Sequence, residues 1–190
     1  MPSSLTDLVP VPLAASINTG KHPCQTGELV HLFGLPCNPL PHTPKGLDAI
    51  TNAKWRTRMV TQDVGPFRVT GHVLAVKLLR TSLTDVKARK PELHAALGTA
   101  GMLAVRAVNI RGHYIDGRPS NHAFGLAVDF TIAGKLDVQG DGKVMAGLLD
   151  LYSVMKDHGW FWGAEFGVED AMHFEVSWEI VRGWLAARTF

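Results

Sequence analysis

Apolar positions in the second half of the chain fall into two periodicities. Val76, Leu79, Leu83 and Val86 are spaced three, four and three apart with Lys and Arg between them, which predicts an amphipathic helix with Thr70 as its N-cap. A shorter helix is expected from Pro91, a residue suited to the first turn, to a stop near Gly98. Residues 103–110, β-branched and bounded by Gly101 and Gly112, read as a strand. A second strand spans 126–132, with Leu126, Val128, Phe130 and Ile132 on one face and Ala127, Asp129 and Thr131 on the other. Val144, Leu148, Leu151 and Met155 predict a second long helix ending at Gly159. Met172, Phe174 and Val176 alternate with His173 and Glu175 in a third strand, and Ser177 opens a terminal helix carrying Trp178, Val181 and Leu185. Without strict β-α-β alternation, this order predicts an α+β domain with a small, mainly antiparallel sheet packed with helices.

The first 44 residues have no such pattern. They hold eight of the eleven prolines but only three charged residues, Asp7, Lys21 and Glu28. Long helices are therefore not expected there. The Leu29-Val-His-Leu-Phe-Gly34 run is more apolar than a disordered linker, so residues 1–60 are read as a Pro-rich extension or strap along a domain at 61–190. Across 190 residues, 19 Lys+Arg stand against 17 Asp+Glu, and 46% of residues are hydrophobic. The near-neutral charge gives no footprint for nucleic acid, and the apolar content excludes wholesale disorder. Cys24 and Cys37 are too few for a disulfide scaffold and lack Cys-x-x-Cys spacing, leaving two thiols or one disulfide. No apolar run is long enough for a membrane span, and no basic residue precedes the mildly apolar N-terminus. The expectation is a protein without membrane insertion or a conventional secretory signal.

The chemistry concentrates in Ser120-Asn-His122-Ala-Phe-Gly125-Leu-Ala127-Val-Asp129 and in Glu169-Asp170-Ala-Met-His173-Phe-Glu175. Each residue has an ordinary reading alone. Asp129, mid-strand, can pair with Arg106; His122 can be a turn residue; His173 can be a satisfied core histidine. If the two strands are neighbours, however, His122, Asp129 and His173 converge. Two imidazoles and a carboxylate leave a fourth position open, the pattern of a catalytic zinc site. His22, His31, His42, His72, His94 and His113 have no comparable placement, and His158 is explained by a helix end. Asp137-Val-Gln-Gly-Asp141-Gly lacks the ligand spacing of an EF-hand and reads as a turn. Cys24, Cys37, His22, His31 and His42 fit no standard zinc spacing.

Both motifs, 44 residues apart from Asp129 to His173, resemble those of zinc D-Ala-D-Ala carboxypeptidases, D,D-dipeptidases and phage L-alanyl-D-glutamate endolysins. Met102-Leu-Ala-Val-Arg106 and Gly159-Trp-Phe-Trp-Gly163 extend the resemblance. It implies a Hedgehog/D,D-peptidase-like zinc fold, with zinc bound by His122, Asp129 and His173. It also implies a general base at Asp170, three residues before His173. An arginine on the strand before the first motif is implied to hold the scissile carbonyl; that is Arg106, with Arg111 and Arg118 as rivals. Ser120 is expected either to bond near substrate or to shape the loop. Trp162 is a candidate cleft wall, and Glu175 could orient a histidine ligand from behind.

The function so implied is hydrolysis of peptidoglycan stem peptides, at D-Ala-D-Ala or at L-Ala-D-Glu. With no secretory signal seen, the expectation is a phage-type endolysin, held in the host cytoplasm until release and acting at the cell wall. Two alternatives remain. The Hedgehog signalling domain resembles these peptidases, so a non-catalytic zinc-fold binding module is one, although Asp170 at the base position favours an enzyme. Ferrous iron at the same three ligands is the other.

Overall fold

A computed structural model describes residues 4–190. The chain runs β1 (Leu8–Pro10), α1 (Thr26–Phe33), α2 (Ala53–Arg56), β2 (Met59–Asp63), β3 (Arg68–His72), α3 (Val73–Arg89), α4 (Pro91–Ala96) and β4 (Leu97–Gly101). It continues through β5 (Ala107–Ile110), β6 (His113–Pro119), β7 (Ala127–Ile132), β8 (Lys143–Met145), α5 (Ala146–Met155), β9 (Trp160–Trp162), β10 (His173–Val176) and α6 (Trp178–Ala186). A four-stranded antiparallel sheet in the order β4-β7-β10-β9 organises the molecule; β2-β3, β5-β6 and β1-β8 form separate antiparallel pairs. The α+β class with small antiparallel sheets is thus observed.

Helix α3 follows its periodicity, burying Val76, Leu79, Leu83 and Val86 completely. It packs against α4 and α5. Its cap is not Thr70. The β2-β3 hairpin runs to His72, and Thr70 is paired across it with Thr61, their hydroxyls 2.8 Å apart. His72 caps instead, its Nδ1 accepting the Leu74 N–H at 3.4 Å. The strand expected at 103–110 starts at Ala107. Gly101, at φ +131°, ends β4, and Val105 forms only an isolated bridge to Lys45. Where the sequence suggested a helix stop, Leu97-Gly-Thr-Ala-Gly101 is an edge strand. Its weak β-formers are held by β7 pairing, and a Cβ on Gly98 would lie 2.5 Å from Thr131 Oγ1. Val144 lies in β8, before helix α5 begins.

Strand β7 lies inside the sheet. Leu126, Val128, Phe130 and Ile132 are fully buried, leaving the Asp129 face for the site. The N-terminal segment enters the same core through Ile17, Cys24, Leu29, Cys37 and Ile50. It holds one eight-residue helix, α1, with Leu32 about half exposed and Leu29 buried. Phe33 contacts Trp55 edge to face at 5.4 Å. Both cysteines are free and buried. Among the described residues no helix is long and apolar enough to cross a membrane.

Candidate metal centre

Antiparallel register brings two of the three expected ligands together. His173 on β10 stands directly opposite Asp129 on β7, and directly opposed residues share a face. His122 arrives from the 3-10 turn Asn121–Phe124, which Ser120 caps by accepting the His122 N–H at 3.3 Å. Ser120 therefore shapes the loop. Gly125 ends the turn at φ +62°, where a Cβ would lie 2.6 Å from the His72 nitrogen. Only glycine fits that approach.

His122 Nε2, Asp129 Oδ1 and His173 Nδ1 form a near-equilateral triangle with sides of 3.1, 3.1 and 3.2 Å. The outer ring nitrogens fix the tautomers. His122 Nδ1 lies 2.9 Å from the Met102 carbonyl, which can only accept, so this nitrogen carries the hydrogen. His173 Nε2 likewise donates to Glu175 Oε2 at 2.8 Å. The inner nitrogen of each ring and a carboxylate oxygen are thus turned toward one another, an arrangement that a shared proton or a metal cation can hold together. Tetrahedral zinc with ligands at about 2.0–2.1 Å would separate its ligand atoms by roughly 3.3 Å, close to the observed sides. Among the described residues this is the one group of three or more such side chains placed to hold a metal.

The electrostatics agree with this donor set. Burial opposes a charge on His173, yet its bonds to Asp129 and Glu175 prevail and hold the imidazole up to about 10. Burial also opposes charge on Asp129, but His122 and His173 hold its carboxyl well below the usual carboxylate range. A bound metal would displace the proton this cluster retains.

Glu175 is a buried hub. Besides His173 it accepts from Asn121 Nδ2 at 2.6 Å and from the Cys24 N–H at 2.6 Å. Asp170 precedes His173 in a tight turn, its carbonyl accepting the His173 N–H and its own N–H donating to Gly163, each at 3.0 Å. Gln139 holds Asp170 Oδ2 at 3.0 Å, while Oδ1 is buried without a partner. Burial pushes the Asp170 carboxyl up, toward the range useful for proton transfer.

A cleft of about 500 Å³ opens beside the triangle, lined by Arg106, Arg118, Ser120, Gln139, Phe166 and Asp170 among others. Of the three arginines considered, Arg106 and Arg118 line it. Arg111 does not; its guanidinium bonds to the Gly140 carbonyl. Asp129 pairs with the histidines and not with Arg106. Trp162 is corrected as a cleft wall. It is fully buried, stacked on Tyr152 at 4.8 Å, and donates its indole N–H to the Ala171 carbonyl at 2.7 Å, because β9 turns Trp160 and Trp162 into the core with Phe174, while Phe161 between them shares the Glu175 face and stacks on Phe166. Phe166 provides the aromatic surface instead, 5.5 Å from the His173 ring. Phe166, Asn121 and Gln139 were not singled out from sequence, since a loop aromatic and isolated amides carry no periodic signal. His158 pairs with Asp85 at 3.1 Å, a more specific partner than a helix end.

An aspartate and a histidine on neighbouring antiparallel strands and a second histidine from the preceding 3-10 turn, with an acid and two arginines around an adjoining cleft, define a candidate mononuclear metal centre with room for a substrate. Residues 116–176, about a third of the chain, match the family model described as D-alanyl-D-alanine carboxypeptidase, in agreement with the resemblance carried by the two motifs. No curated protein matches the chain.

Proposed function

We propose that the protein is a zinc-dependent peptidase hydrolysing the stem peptides of bacterial peptidoglycan. The observation that carries this reading is the triangle of donor atoms on His122, Asp129 and His173, open to a cleft that also contains Asp170. The family match over 116–176 supports the peptide substrate. Zinc held by these three residues would supply Lewis acidity for activating water and polarising the scissile carbonyl.

The protein's own groups account for the remaining work. Met102 and Glu175 fix the two imidazole planes, so the metal-facing nitrogens need no reorganisation. Asp170 Oδ1 accepts the proton of the attacking water and delivers it to the leaving amine; Gln139 holds the other oxygen still. Arg106 directs its guanidinium to the carbonyl oxygen as negative charge develops there. Its main chain is anchored to the metal loop, its carbonyl accepting the Ser120 N–H at 3.1 Å. Phe166 and the apolar side of the hairpin β5-β6 border the peptide and limit water. This substrate class puts the place of action at the bacterial cell wall, and a phage-type endolysin is one setting for it.

Metal analysis of the purified protein, followed by digestion of cell-wall peptides and mass spectrometry of the products, tests the proposal. One zinc per chain and cleavage at D-Ala-D-Ala or L-Ala-D-Glu are expected, and the product masses name the bond. Intact wall peptides after incubation with zinc-loaded protein would overturn it. Asp170→Ala with wild-type turnover would remove the assigned base.

A further inference from the structure

The mechanism above uses one guanidinium, and the cleft contains two. Arg118 is brought there by an irregularity of the hairpin β5-β6. Ala107 pairs with Pro119, but Val108 pairs with Ile115, so residues 116–118 are looped out of the ladder. Gly117 takes φ +71° at the centre of this bulge. Bulges of this kind re-aim a side chain and occur preferentially beside active sites.

The nearest acid in sequence is diverted from Arg118. Asp116 Oδ1 is bound by His42 Nε2 at 2.5 Å, and His42 in turn stacks on Tyr114 at 5.4 Å. Among the described residues neither Arg118 nor Arg106 has a carboxylate within ion-pair distance. With a divalent metal in place, the ion and two guanidiniums outweigh Asp129, Asp170 and Glu175 even if all three are ionised. The filled site thus retains an excess of positive charge on the wall formed by the bulge. A guanidinium kept free of protein partners in a cleft matches a planar anion through two parallel hydrogen bonds.

We propose that Arg118 anchors the carboxylate that a stem-peptide substrate carries beside the scissile bond. This rests on the peptidase reading. Two carboxylates of stem peptides share that chemistry: the terminal one of D-Ala-D-Ala and the α-carboxylate of a γ-linked D-Glu. Arg106, tied to the root of the metal loop, serves the scissile carbonyl, and Arg118, further out on the bulge, selects the substrate.

The test uses zinc-loaded full-length protein and four peptides: one ending in D-Ala-D-Ala, its C-terminal amide, one containing L-Ala-γ-D-Glu, and its α-carboxamide. Whichever acid is cleaved, wild-type kcat/KM should exceed that for the matched amide by about 10- to 100-fold, the range of a charged hydrogen bond. Arg118→Met should abolish that preference, mainly by raising KM for the acid. Arg118→Lys should keep part of the preference, because it keeps charge but loses the paired geometry. Arg118 is exposed, and an unchanged melting temperature for the variants separates these effects from misfolding. Equal wild-type rates on acid and amide, or a preference that survives Arg118→Met, would overturn the assignment while leaving the peptidase reading intact. Failure to cleave any of the four peptides would overturn the peptidase reading itself.

Discussion

Gln139 Nε2 donates to Asp170 Oδ2 at 3.0 Å while the same side chain's Oε1 accepts the Arg111 N–H at 3.0 Å. One amide therefore spans from the tip of the β5-β6 hairpin to the carboxyl assigned to proton transfer. Replacing it with an isosteric apolar residue frees the Asp170 carboxyl to rotate. Gln139→Met is expected to lower kcat about tenfold with KM within about twofold, a loss confined to the transition state. Combined with Asp170→Asn, it should cost nothing more, and steady-state kinetics of the single and double variants check both expectations.

Glu175 has three donors and keeps the His173 lone pair pointed at the metal pocket. Glu175→Gln turns one acceptor into a donor facing Asn121 or His173. Zinc affinity should fall about 10- to 100-fold, as for other outer partners of metal-bound histidines. Competition with a chromophoric chelator measures it, independently of turnover.

Gly163 is the point of closest approach behind Asp170. A Cβ there would lie 2.6 Å from the Asp170 carbonyl oxygen and 3.1 Å from His173 Cβ. Gly163→Ala must therefore push the turn between Asp170 and His173 outward. Activity should drop by at least about tenfold, since misplacement of about 1 Å can cost a hundredfold. A lower melting temperature should accompany it.

His72 supplies a prediction about pH. Burial, aided by the Arg58 charge, lowers its imidazole from 6.5 to about 4. The unfolded chain takes up this proton near 6.5 and the native protein only near 4, so stability declines as pH falls through that interval. The full contribution is about 3 kcal/mol. His72→Asn retains an N-cap acceptor and should flatten this part of the stability profile, followed by thermal melts between pH 4 and 7. A wild-type profile that does not fall below pH 6.5 relative to the variant would contradict it.

Legibility in the sequence followed physical locality. Alternation alone placed Asp129 and His173 each on the polar face of its strand, and the antiparallel pairing of the two strands, only a condition in the sequence, puts both on one face. His122 followed from its short distance to Asp129. What stayed hidden depends on contacts between distant segments. Leu97–Gly101 is a strand only because β7 lies beside it, with Thr99 Oγ1 bonding the Asp129 carbonyl at 2.8 Å. Trp162 looked available beside glycines, yet the sheet faces it inward. Thr70 had the chemistry of a cap, but the hairpin's length moved the cap to His72. Gln139 became visible only when the loop around it reached Asp170.

The main-chain amide of Cys24 reaches Glu175 from a part of the chain far outside residues 116–176. Being a backbone donor, it leaves no trace in side-chain identity. The stretch that makes the chain recognisable is therefore smaller than the unit that builds the candidate site. Grafting only that stretch onto another scaffold would carry over the ligands and leave Glu175 without one of its three donors.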